Sequence, residues 1–133
     1  MRVLVVDDSA FMRKVISRII EAAPELEVAG VAKNGREGVE MAQRLRPDLI
    51  TLDIEMPELD GLGALRQIRL KCRDHAPGVV MCSSLTTEGS VEALRALRLG
   101  AADVIAKDPA TVTSGASGFA EELLGKLREV GAE

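Results

Sequence analysis

Arg2-Val3-Leu4-Val5-Val6-Asp7-Asp8-Ser9 decides the fold of this chain. An apolar run of strand length without polar alternation needs cover on both faces, as strands of a parallel sheet have. Two acids and a hydroxyl then stop the strand and open a helix, since acids suit the positive end of the helix dipole and Ser is a good N-cap. The same grammar recurs at Asp48-Leu49-Ile50-Thr51-Leu52-Asp53, and again at Asp103-Val104-Ile105-Ala106-Lys107, where the run ends in a cation. In an open parallel sheet, ligands collect at the carboxyl ends of the strands, where helices begin.

Working outward, strand patterns fall near residues 2–7, 26–32, 48–53, 78–82 and 102–106, with 26–32 the weakest and most alternating. Helical periods of three to four lie between them: Met12, Val15, Ile16, Ile19 and Ile20; Val39, Ala42 and Leu45; Leu62, Leu65, Ile68 and Cys72; Val91, Leu94 and Leu97. A last helix near 117–130 carries Phe119, Leu123, Leu124, Leu127 and Val130. Each set is expected to form one buried stripe. Punctuation agrees with this division. Ser9 and Ser117 stand as N-caps, Asn34 and Glu37 have capping-box spacing, Pro24 and Pro47 end helices, and Gly100 closes the fourth. The expectation is one α/β domain over 1–133: a flavodoxin-like (βα)5 doubly wound parallel sheet of strand order 2-1-3-4-5. Pro109 to Gly118 reads as a connector to the last helix.

Composition narrows the function. The chain has 133 residues, 47% hydrophobic and 29% charged, with net charge −4. Net negative charge disfavours binding driven by nucleic-acid phosphates, and two Phe with no Trp or Tyr leave little to stack on bases. No apolar stretch approaches the ~20 residues of a membrane span, and the start lacks a signal-peptide pattern. Cys72 and Cys82 are isolated thiols, as in a reducing compartment. A cytoplasmic protein with no nucleic-acid or membrane partner is expected.

Asp7, Asp8 and Asp53 would offer the hard oxygen ligands that Mg²⁺ prefers, with Mn²⁺ an acceptable substitute, and the Glu55 carbonyl is within plausible reach. Crowded carboxylates also call for a neutralising cation. An aspartate can act as nucleophile toward phosphorus, with the metal and Lys107 on the transferred oxygens and a hydroxyl from Ser83 or Ser84 donating to one. Taken singly, each acid also fits helix-start or turn chemistry, and a lone lysine after a strand is usually solvated. Their conjunction at corresponding strand ends favours a site. Asp60-Gly61 reads as a turn and helix start, and His75 as an exposed loop histidine.

Val3-Leu4-Val5-Val6-Asp7-Asp8-Ser9, Asp53-Ile54-Glu55-Met56-Pro57-Glu58-Leu59-Asp60-Gly61, Ser83 after Val79-Val80-Met81-Cys82, and Gly100-Ala101-Ala102-Asp103 before Lys107 resemble the receiver domain of two-component response regulators. That resemblance implies Asp53 as phosphoacceptor for a histidine kinase, and Asp7 and Asp8 as the acid pair, Asp8 the direct Mg²⁺ ligand and Asp7 acting mainly through water. It also implies Glu55 as a carbonyl ligand, Ser83 as switch hydroxyl and Lys107 as the phosphate-facing cation. Asp7-Asp8-Ser9-Ala10-Phe11-Met12-Arg13-Lys14, Thr51-Leu52-Asp53-Ile54-Glu55-Met56-Pro57 and Ser83-Ser84-Leu85-Thr86-Thr87-Glu88-Gly89 are similar to the receiver of chemotaxis protein-glutamate methylesterases. A chemotaxis kinase, and a methylesterase domain or other output partner at the helix-four face, are implied with it.

Two positions depart from the receiver pattern. Asp108 separates Lys107 from Pro109, where receivers have Lys-Pro shaping a cis loop, and Val104 stands where an aromatic switch is usual. No esterase chemistry is expected from this chain: its one histidine is His75, and no G-x-S-x-G elbow occurs. The alternative reading is an Asp-nucleophile phosphatase or phosphotransferase similar to haloacid dehalogenases. Those want a second acid two residues after the nucleophile, which Asp53-Ile54-Glu55 only approximates. A flavin or nucleotide carrier fits less well, because Asp7-Asp8-Ser9-Ala10 has no glycine and its acids would repel a phosphate without a metal.

Overall fold

A computed structural model describes residues 1–108, 112 and 117–132. Five strands, β1 (Arg2–Val6), β2 (Glu27–Ala32), β3 (Leu49–Asp53), β4 (Gly78–Ser84) and β5 (Asp103–Lys107), form one parallel sheet. Their order is β2-β1-β3-β4-β5, as the alternating pattern predicts. Helices α1 (Ala10–Glu21), α2 (Gly35–Leu45), α3 (Gly61–Lys71), α4 (Thr87–Arg98) and α5 (Ser117–Gly131) connect or follow the strands.

Side-chain alternation along the strands divides the interior into two cores. Leu4, Val6, Ile50, Leu52 and Met81 pack with α2, α3 and α4. Val3, Val5, Leu49, Val80, Cys82 and Ile105 pack with α1 and α5. The central runs are almost wholly apolar because both of their faces are covered, with Thr51 a buried polar residue inside β3. β2, at the edge, is only partly buried, and its register to β1 slips between Val3 and Leu4.

The helix starts follow their caps. Ser9 Oγ accepts from Met12 N at 3.2 Å, and Asp60 Oδ1 from Gly63 N at 2.8 Å. Asn34 Oδ1 accepts from Glu37 N at 2.8 Å, while Glu37 Oε1 returns to Lys33 N at 3.3 Å, a capping box displaced by one residue. α2 ends on left-handed Arg46, just before Pro47, and Gly100, at φ 108°, follows α4 and lets Ala101 N reach Ala96 O. α5 begins at Ser117, whose side chain lies outside what is described. Most of the Pro109–Gly118 connector, and the Asp108–Pro109 bond, lie outside the described residues.

Two expectations need correction. Val91, Leu94 and Leu97 are not a buried stripe: they face outward, Leu94 60% exposed, while α4 packs inward through Gly89 and Ala96. Periodicity reports that a helix has an apolar face, not which way it turns. His75 is not an exposed loop residue. It sits half-buried in a 3₁₀ turn (Arg73–His75), and its Nε2 is buried without a hydrogen-bond partner.

The reversed α4 face has a measurable consequence. Leu94→Ser should change stability by less than about 0.5 kcal/mol in urea unfolding, as exposed positions do. Leu65→Ala, at a fully buried position of α3, should cost roughly 2–5 kcal/mol. A comparable loss in both would return the α4 stripe to the core.

Candidate functional site

The carboxyl edge of the sheet collects the three acids and the lysine. Asp7, Asp53 and Lys107 continue the side-chain rows of Val3 and Val5, of Leu49, and of Ile105, so alternation alone puts them on one side of the sheet edge. Lys107 Nζ lies 2.9 Å from Asp53 Oδ1 and 3.5 Å from Asp7 Oδ2. Asp7 is 0% and Asp53 2% exposed. Asp8 is exposed, yet carboxylate oxygens of Asp7, Asp8 and Asp53 all lie within 4.8 Å of one another.

The backbone holds these side chains in place. Ser9 N donates to Asp7 Oδ1 at 2.9 Å, Glu55 N to Asp53 Oδ1 at 3.2 Å, and Arg13 Nη1 to the Asp7 carbonyl at 2.8 Å. Gly61 packs so closely on β3 that a Cβ there would stand 2.2 Å from the Asp53 carbonyl oxygen. The Asp60-Gly61 pair is thus a helix start, as read, and also a backbone clamp on the site.

Burial first, and then the Asp7 charge, push the Asp53 carboxyl up to about 7 against the pull of Lys107. For Lys107 burial is the largest single influence and works downward. The charges of Asp53 and Asp7 together outweigh it and hold the ammonium above its ordinary value. Cys82, paired across the sheet with Asp53, is fully buried, and burial pushes its thiol up to about 12, so it stays protonated.

The donor set fits a hard divalent cation. Three carboxyl groups face one ammonium, all the candidate side-chain ligands are oxygens, and Asp8 gives the cluster an open side. Glu55 follows directly on Ile54 in the β3–α3 loop, and its N–H is turned to Asp53.

The two serines of β4 separate. Ser83 is buried, 6% exposed. Ser84 Oγ donates to Glu55 Oε1 at 2.5 Å and lies 2.9 Å from Thr86 Oγ1, which accepts from Gly89 N as the cap of α4. Glu55 thus accepts the one proton that Ser84 Oγ can donate. This Glu55–Ser84–Thr86 chain and the Arg13 contact were not apparent from sequence, where only the neighbouring serines gave a signal. Val104, at the aromatic position, packs against the α2–α4 core. No peptide bond among the described residues is cis, Lys107–Asp108 included.

Residues 3–113 match the response regulator receiver domain. The chain is 50% identical over 130 residues to a protein-glutamate methylesterase/protein-glutamine glutaminase of Carboxydothermus hydrogenoformans, covering 97% of this chain and 36% of that protein. It superposes on the response regulator domain of Thermotoga maritima CheB with TM-score 0.87 and 47% identity, over 100% of this chain and 97% of that one. A structure of the P1 domain of CheA3 in complex with CheY6 from R. sphaeroides matches with TM-score 0.77 and 38% identity, over 99% and 97%.

The chain belongs to the response regulator receiver domains, modules of two-component signalling. Within that family it is similar to the receivers of CheB-type chemotaxis methylesterases. It spans about a third of the length of the curated relatives it matches.

The raised Asp53 carboxyl sets a pH dependence in metal-free protein. A folded-state value above the unfolded one contributes stability that is fully present below about pH 4 and lost as pH rises through about 7. Asp53→Asn should therefore raise the melting temperature by several degrees at pH 8 and leave it nearly unchanged at pH 4, read by thermal denaturation in chelator. An equal shift at both pH values would show that the carboxylate is not strained.

Proposed function

We propose that this receiver is a cytoplasmic phosphorylation switch over residues 1–133, accepting a phosphoryl group on Asp53 from the phosphohistidine of a chemotaxis kinase. The observation that carries the reading is Asp53 itself, buried at a strand tip with Lys107 Nζ at 2.9 Å and two further carboxylates beside it. A structural relative complexed with the P1 domain of CheA3 supports the choice of donor.

With Oδ1 held by Lys107 and the Glu55 N–H, Asp53 Oδ2 is the oxygen that attacks phosphorus. The new O–P bond forms as the P–N bond to histidine breaks, and the imidazole takes a proton as it leaves. Lys107 offers its ammonium to the transferred oxygens, and Ser83 a hydroxyl. Asp8, Asp53, the Glu55 carbonyl and, through water, Asp7 would hold Mg²⁺, which supplies charge neutralisation for the phosphoryl oxygens. Such transfer is mainly positioning and electrostatics, which a rigid sheet edge provides.

Output is assigned to the α4 face. Leu85, which follows Ser84, and Val91, Leu94 and Leu97 of α4 are exposed, and exposed apolar surface of this kind marks a partner surface. In CheB-type relatives a methylesterase domain is the natural occupant, since this chain spans only about a third of them.

Acetyl phosphate with Mg²⁺ should add one phosphoryl group to the intact mass, and Asp53→Ala should abolish the addition. Undiminished labelling of that variant would refute the acceptor. Calorimetric titration should show Asp8→Ala losing Mg²⁺ affinity by about tenfold or more, beyond the loss in Asp7→Ala, because Asp8 is the ligand open to an incoming hydrated ion. Wild-type affinity in both would remove the metal from these residues. Ser83→Ala should keep labelling but weaken the amide-exchange response of residues 83–100 to beryllofluoride. An unchanged response would place the switch elsewhere.

A further inference from the structure

Between α3 and α4 lies an open cleft of about 460 Å³, its floor set by Leu62 and Leu99 and its rim by Arg66, Arg95 and Arg98. Both leucines are partly buried and rest on the core. Among the described residues none of these three arginines has an ion-pair or hydrogen-bond partner. The acid at the rim, Asp60, is occupied in capping α3 through Gly63 N. In a chain of net charge −4, three unpaired guanidiniums around one apolar-floored cleft oppose the bulk charge.

Geometry extends the cleft onto the helix surface. At 100° per residue, Arg98 lies between Val91 and Leu94, and Arg95 beside Val91. The arginines therefore run directly into the exposed apolar residues of α4.

We propose that the α3–α4 cleft docks an acidic segment of a partner protein, its carboxylates paired with Arg66, Arg95 and Arg98 and an apolar side chain seated on Leu62 and Leu99. Guanidiniums pair with carboxylates through two parallel hydrogen bonds, which fixes orientation as well as charge. Single exposed ion pairs contribute little, so the occupant must combine several with apolar burial. The leucine floor and the adjoining exposed leucines therefore favour a protein segment over a small anion. The inference rests on α4 being the output face and adds the chemistry of what binds there. It also gives the partner a hold on both helices flanking Asp53, since α3 starts on the Asp53 carbonyl at Gly61 and α4 is tied to Glu55 through Ser84 and Thr86.

The test is a chemical-shift titration of the full chain with a blocked peptide of alternating glutamate and leucine. Saturable shifts are expected in residues 60–69 and 91–99, weakening steeply with added salt. Arg66→Glu combined with Arg98→Glu should lower affinity about tenfold or more while keeping the wild-type melting temperature and acetyl phosphate labelling. The reversed variant should instead bind a lysine–leucine peptide. Absence of shifts, equal binding of a glutamine–leucine peptide, or equal binding by the reversed variant would overturn the proposal. So would ADP producing the same shifts and displacing the peptide, which would make the cleft a small-anion site. Labelling of Asp53 is read separately on the same sample, so loss of the switch and loss of the docking site cannot be confused.

Discussion

Asp7 and Asp53 are held almost out of water, close enough that the Asp7 charge disfavours ionisation of Asp53, and a single ammonium answers both. That arrangement constrains the sheet. Lys107 stands on β5, with β4 between it and β3, a separation of roughly 10 Å at the usual strand spacing. Only a long cation reaches across, and it does so over a strand tip made of small residues, Cys82, Ser83 and Ser84. The strand order, the small tip of β4 and the length of Lys107 are one requirement seen from three places. The crowding that remains after Lys107 is what a divalent ion would relieve.

A change at Asp53 must then reach the surface without an aromatic switch, since Val104 has no ring to rotate. The connection present is polar. Asp53 is followed two residues on by Glu55, whose carboxylate takes the Ser84 proton, and Ser84 meets the Thr86 cap of α4. These hydrogen bonds join the Glu55 loop to the first turn of α4. On the other side, Gly61 carries the Asp53 backbone position directly into α3.

Sequence disclosed what depends on periodicity and on single-residue chemistry. β1 and β3 were legible because burial on both faces keeps them almost wholly apolar, Thr51 excepted, and the acids after them because nothing structural requires three carboxylates and a distant lysine at matching strand ends. Ser9, Asn34 and Asp60 were legible because a cap is a local event. The direction of α4 was not, because Val91, Leu94 and Leu97 have the spacing of a core stripe whichever way they face. The signal against that reading lay in Gly89 and Ala96, small residues suited to close packing against the sheet. His75 looked like an exposed loop residue because its turn, Arg73-Asp74-His75, is polar in sequence. The Glu55–Ser84 bond joins residues 29 apart and depends on two rotamers, which no pattern encodes.

α4 is held to the sheet by smaller side chains than α1 or α3. α1 is anchored by Met12, Ile16 and Ile20, and α3 by Leu65 and Ile68, whereas the fully buried positions of α4 are Gly89 and Ala96. Burial of a large aliphatic side chain stabilises by about 1.5–3 kcal/mol, and an alanine or glycine contributes far less. α4 is accordingly the helix whose displacement forfeits the least core. A population shift requires only that a ligand distinguish two states by more than their separation. Keeping α4's leucines outside lowers that separation and, in the same stroke, leaves them available to a partner.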